Sequence, residues 1–150
     1  MGTSMSSLDW LKNGWIDEHS PSKREISDLL AASARDLKTS SQIELDTDWR
    51  FNIAYNAALQ IASAALAATG YRARRDSHHF RVIQSLLFTI GAESELVVLL
   101  DRFCQKRNRG TYERAGVISD HEAREMRELA EQLRNRIVGW LKSSHPELID

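Results

Sequence analysis

The stretch Ala54-Tyr-Asn-Ala-Ala-Leu-Gln-Ile-Ala-Ser-Ala-Ala-Leu-Ala-Ala-Thr-Gly70 is dominated by alanine and sets the fold class. Alanine loses no side-chain entropy in a helix, so a run of this composition propagates well. Ala54, Ala58, Ile61 and Ala65 recur on one face, and their small size lets a neighbouring helix approach closely. Asp46, Thr47 and Asp48 offer N-caps and Gly70 a stop, which bounds the helix at 47–69. Asn56, Gln60 and Ser63 interrupt the apolar run, which is too short to span a bilayer, so no membrane segment is expected.

Working towards the N-terminus, Ser22 and Glu25 have capping-box spacing, and Ile26, Leu29, Leu30, Ser33 and Leu37 follow at helical intervals, which predicts a helix over 22–44. Before it, Leu8, Leu11, Trp15 and Ile16 suit a short amphipathic turn within a segment 1–21, docking on this domain or on a partner. Towards the C-terminus, Ser77 can cap a helix over 78–90 with Phe80, Ile83, Leu87 and Ile90 inward, ended by Gly91. A helix over 94–109 follows with Leu96, Leu99, Leu100 and Phe103 inward, and Gly110 is its expected end. Ser119 and Glu122 form a second capping box. Beyond it Met126, Leu129, Ala130, Leu133, Ile137, Trp140 and Leu141 predict a helix over 119–143, leaving a tail at 144–150. Pro21 and Pro146 lie outside these patterns, and no alternating strand pattern occurs. Short connections favour antiparallel neighbours, so the expectation is all-α: an up-and-down antiparallel bundle of about five helices over 22–143.

The chain has 150 residues, enough for one domain that buries roughly 70% of its unfolded surface. Its 20 basic residues nearly balance 21 acidic ones, so any site for nucleic acid must come from local clustering. A single cysteine, Cys104, excludes an intramolecular disulfide and a cysteine-based zinc site. The adjacent His78 and His79 point about 100° apart on a helix and cannot share a metal in the i, i+4 manner. With no P-loop, dinucleotide fingerprint or EF-hand pattern, no metal or cofactor is expected. Met1 to Ser7 is polar and lacks the basic start and apolar run of a secretory leader, so a cytoplasmic location is expected. Packing is the default role of Trp10, Trp15, Trp49 and Trp140.

Chemistry concentrates in Arg102-Phe-Cys-Gln-Lys-Arg-Asn-Arg-Gly-Thr-Tyr-Glu-Arg114. Arg102 and Lys106 share a helix face, as do Lys106 and Arg109. Arg107 lies four residues beyond Phe103, on the side that faces the core, where a guanidinium is directed into a groove or interface. A solvated helix end, its cations set against the helix dipole, accounts for the same run. So does an anion site, because arginine forks match phosphate geometry. Arg72, Arg74 and Arg75 form a second, smaller basic patch.

The order and spacing of several segments resemble the HEPN superfamily of small helical domains in prokaryotic conflict and RNA-processing systems. The segments are Leu29-Leu-Ala-Ala-Ser-Ala-Arg-Asp-Leu37, Ala54 to Ala62, Gly70-Tyr-Arg72, His78-His79 and Lys106-Arg-Asn-Arg-Gly-Thr-Tyr112. The resemblance implies a metal-independent endoribonuclease acting as a homodimer, with two copies of Arg107 brought together near the fourth long helix. It implies that Arg107, Asn108 and Tyr112 occupy the catalytic positions, and that Lys106, Arg109, Arg102 and Arg114 contact RNA phosphates. It also implies the toxin half of a toxin–antitoxin or phage-defence pair, with a nucleotidyltransferase-type antitoxin partner that modifies Tyr112. The family's signature is an Arg-polar pair, matched here by Arg107-Asn108, with a histidine four to six residues after it; that window here holds Tyr112, Glu113 and Arg114. A tyrosine with a pKa near 10 is a poor general base, which leaves a non-catalytic dimerisation or protein-binding module as the alternative.

Overall fold

The computed structural model describes residues 7–74, 78–112 and 118–150, with 78–79 and 108–112 as backbone only. Among these the elements are α1 (Ser7–Lys12), β1 (Ile16–Glu18), α2 (Lys23–Ser40), α3 (Thr47–Ala68), β2 (Tyr71–Ala73), α4 (His78–Thr89), α5 (Ser94–Tyr112) and α6 (Asp120–Ser144), then a 3-10 turn at Pro146–Leu148. It is an all-α helical bundle carrying one small two-stranded sheet.

The alanine-rich helix α3 is the hub, with α2, α4, α5 and α6 packed against it. Phe51, Tyr55, Ala58, Ile61, Ala62 and Ala65 are all fully buried. The expected small-residue face is therefore part of a broader apolar surface, and only the side carrying Trp49 and Asn56 is exposed. The helix stops at Thr69, whose N–H bonds the Ala65 and Leu66 carbonyls, and Gly70 follows at φ +96°, a conformation that costs a glycine little.

Polar ties fix the helix directions. Thr47 and Arg50 at the start of α3 donate to Asp120 at the start of α6, at 2.6 and 2.7 Å, so these two helices begin at the same end. Arg134 on α6 donates to the Ser33 hydroxyl and the Leu30 carbonyl of α2, and Arg136 donates to Glu93 before α5. The capping box of Ser119 and Glu122 is complete.

Asp120 has its carboxyl held below the ordinary carboxylate range by the Thr47 hydroxyl first and then by Arg50. Glu93 is lowered in the same way by Arg136. A depressed folded pKa contributes stability that is present above the unfolded value and lost as pH falls through the folded one. The melting temperature should therefore decline as the solution is acidified below about pH 4. Asp120→Asn should be less stable than the parent at neutral pH, and the gap between their melting temperatures should close in acid. A gap that stays constant with pH would refute the assignment.

Several expectations are corrected. Strand pairing occurs after all: β1 and β2 are antiparallel, with Ile16 opposite Ala73, Asp17 opposite Arg72 and Glu18 opposite Tyr71. Three-residue strands are too short to show alternation. Helix α2 ends at Ser40 rather than 44, because the hydroxyls of Ser40 and Ser41 bond back to the Leu37 and Lys38 carbonyls. The Ser22 box is only half formed: Ser22 accepts from the Glu25 N–H, but the Glu25 carboxylate turns to His19 instead. The inward face of α4 is Val82, Ile83 and Leu86, while Phe80 and Leu87 are exposed. On α5, Val97 and Cys104 join Leu100 and Phe103 in the core, whereas Leu96 and Leu99 are only partly buried. Gly110 does not end α5, which continues to Tyr112. Trp49 is 61% exposed rather than packed. The predicted cap at Ser77 lies outside the described residues.

The turn at Leu8–Ile16 docks on this domain. Trp10 and Ile16 are buried with Leu66 of α3, and the Trp10 ring meets Phe88 of α4 edge-on at 5.1 Å. The N-terminal arm is thereby joined to the bundle by a plug of aromatic side chains and a strand pair.

Candidate functional site

The C-terminal half of α5 packs its inner face on the first half of α3. Phe103 meets Phe51 edge-on at 5.6 Å, and one turn further along the Arg107 guanidinium lies 5.3 Å from the Tyr55 ring centroid. Arg107 is on the core-facing side, as its spacing to Phe103 indicates, but it reaches back onto an aromatic face, a contact that attracts a cation, rather than into a groove. Tyr55 is fully buried and its hydroxyl lies against the Cys104 thiol. Burial, then Cys104, pushes this phenol far above its ordinary pKa against the opposing pull of Arg107, so it remains protonated. Cys104 is itself buried, which suits packing rather than nucleophilic chemistry.

Lys106 is directed elsewhere. It pairs with Glu122, the same side chain that closes the α6 capping box through the Ser119 N–H. Partial burial pushes the Glu122 carboxyl up, but the bonds from Lys106 and Ser119 outweigh it and hold the group below its ordinary range. Arg102 is exposed on α5. Arg102, Lys106 and Arg107 are therefore carried on one helix end with three different roles: an open cation, an ion-paired lysine and a guanidinium on an aromatic face. The side chains of Asn108, Arg109 and Tyr112, and all of Arg114, lie outside the described residues.

Two further features escaped the sequence reading. Arg81 of α4 stacks on Trp15 of the arm, 3.6 Å from the ring centroid, a contact between residues far apart in the chain. A cavity of about 340 Å³ opens where the arm meets α2, α3 and β2. Leu29, Leu59, Leu66 and Val82 give it apolar walls, and His19, Glu25, Asn56 and Gln60 line it with polar groups. His19 Nε2 sits 2.8 and 2.9 Å from the two Glu25 oxygens, and Asp36 accepts from both Asn56 and Gln60. The half-formed capping box at Ser22 is the one local hint, since a proline and a histidine precede it.

Among the described residues there is no group of three or more histidine, cysteine or acidic side chains placed to hold a metal, and no helix is long and apolar enough to cross a membrane. Comparison with protein-family models, with curated proteins and with solved structures found no match.

Proposed function

We propose that this chain is an RNA-associated helical domain of HEPN type that contacts the ribose-phosphate backbone through the C-terminal end of α5. The observation that supports this reading is the seating of Arg107 on the Tyr55 ring: a guanidinium held at the core edge loses less side-chain freedom when it meets a phosphate. In this reading Arg107 offsets charge on the phosphate, Asn108 and Tyr112 complete the contact, and Arg102, Arg109 and Arg114 extend it along the strand. Lys106 joins only by leaving Glu122. The domain serves as the toxin half of a pair whose partner is a nucleotidyltransferase-type antitoxin acting on Tyr112. Expression of the chain alone and together with the product of its neighbouring gene tests this. Growth arrest and bound or cleaved RNA with the chain alone, relieved by the neighbour, is the expected result; neither arrest nor RNA association refutes it.

The non-catalytic reading draws on the outer side of α5. Val98 is 57% exposed there, and Glu95, Val98, Leu99 and Arg102 line one shallow groove. Across a two-fold axis at Val98, Glu95 of one copy meets Arg102 of the other, an arrangement that self-complementary interfaces require. Nine residues separate Val98 from Arg107, about two and a half helical turns, so they lie on opposite sides of α5. A homodimer through this groove leaves each Arg107 facing its own Tyr55 instead of joining a shared centre. Light scattering should give a dimer mass that reverts to monomer in Val98→Asp; a monomer at micromolar concentration in the parent chain would exclude the homodimer.

A further inference from the structure

We propose that Arg81, stacked on Trp15 of the docked arm, together with Arg74 and Arg72 of the strand paired with that arm, forms a phosphate-binding site separate from the α5 end. The Arg81 guanidinium lies 3.6 Å from the Trp15 ring centroid and within 5.7 Å of Trp10. Its Nη1 donates to Gln84 at 2.9 Å, its Nε is buried without a partner, and no carboxylate pairs with it among the described residues. Arginine remains charged in such a place, so a half-buried cation stands here without a paired carboxylate among the described residues.

The sheet register adds to this imbalance. Arg72 stands directly opposite Asp17, yet Asp17 pairs with Arg74 at 3.0 Å, leaving Arg72 with no carboxylate among the described residues. Arg74 also donates its N–H to the Trp15 carbonyl and passes close to Gly14, where an added Cβ would stand 3.6 Å from its Nη1. Arg81 therefore stacks on Trp15, Arg74 holds the Trp15 carbonyl and pairs with Asp17, and Arg72 stands across the sheet from that same Asp17, the one carboxylate paired within this group among the described residues. A phosphate group supplies what is missing, since its oxygens accept from several arginine forks at once.

This site lies beside Leu66, while Arg107 lies over Tyr55, about 16 Å earlier along α3. It does not depend on the α5 reading. Trp15 belongs to the arm and Arg81 to α4, so an anion bound here favours the docked arm by mass action. The shared chemistry is a phosphate group, whether of a free polyphosphate or of a nucleic-acid backbone.

The test is titration of the full chain with inorganic pyrophosphate at constant ionic strength, read by tryptophan fluorescence and melting temperature. Expected are saturable binding and a rise in melting temperature. Arg81→Lys keeps a cation but loses the fork, and should weaken binding at least about tenfold. Arg72→Ala, outside the tryptophan stack, guards against simple loss of the arm and should weaken binding several-fold with an unchanged fluorescence spectrum before titration. Arg24→Ala, on the exposed side of α2, should bind as the parent does. A parallel titration with a short oligoribonucleotide assigns the source: Arg81-dependent RNA binding points to a backbone phosphate, and pyrophosphate binding alone to a free one. Absence of saturable pyrophosphate binding, or equal binding by Arg81→Lys, Arg72→Ala and the parent, overturns the proposal.

Discussion

Tyr55→Ala is expected to destabilise the fold by about 3–5 kcal/mol, the range for emptying a fully buried aromatic site. Tyr55 is wholly buried on the hub helix, beneath α5. Tyr55→Phe should behave differently. The hydroxyl is buried against the Cys104 thiol, a weak hydrogen-bonding group, so removing it takes away a desolvated polar group and little bonding and should leave stability nearly unchanged. Both variants keep or remove the ring under Arg107 independently of charge. Denaturant unfolding of the two, side by side, separates packing from polarity. Equal losses in Tyr55→Ala and Tyr55→Phe would show that the hydroxyl, and not the ring, holds α5 to α3.

Arg107→Ala should weaken RNA binding more than tenfold if its guanidinium meets a phosphate, since one charge-assisted hydrogen bond is worth on the order of 1.5–3 kcal/mol. It also loses the contact with Tyr55, which contributes on the order of 0.5–2 kcal/mol. A modest fall in melting temperature is therefore expected with the binding loss. The informative comparison is binding and melting temperature on the same variant. Lower stability with unchanged RNA affinity would reduce Arg107 to a structural side chain. Tyr112→Phe should cost less binding, because only a hydroxyl is removed. Tyr112→His restores an imidazole in the window where HEPN enzymes carry one. RNA cleavage gained by that variant supports a scaffold still arranged for chemistry, and no gain favours binding alone.

The helices were legible in the sequence where local chemistry decides them. Ala54 to Gly70 carries its own propagation and stop, and the Ser119–Glu122 box its own start, and these are found as read, whereas the Asp46 side chain makes no cap bond at the start of α3. The direction of Arg107 followed from its spacing to Phe103. What stayed hidden depends on residues distant in the chain. Strands β1 and β2 stabilise each other across the whole of α2 and α3, and neither has a pattern of its own. Glu25 looks like a capping residue until His19 arrives beside it. Composition does not fix the phase of α4, because Phe80 and Leu87 are as apolar as Val82 and Leu86, which join Ile83 inside in their place. Arg81 has no sequence neighbour that marks it, and only the folded arm sets Trp15 against it.

Glu122 is shared between two duties, closing the first turn of α6 and holding Lys106. A polyanion that recruits Lys106 must compete with that carboxylate, so occupancy at the end of α5 and order at the start of α6 are thermodynamically linked. The linkage is reciprocal: whatever tightens the α6 terminus makes Lys106 less available, and whatever draws Lys106 away loosens that terminus by the same free energy. Under the proposed function, Glu122 thereby sets a ligand on α5 against order at the start of α6.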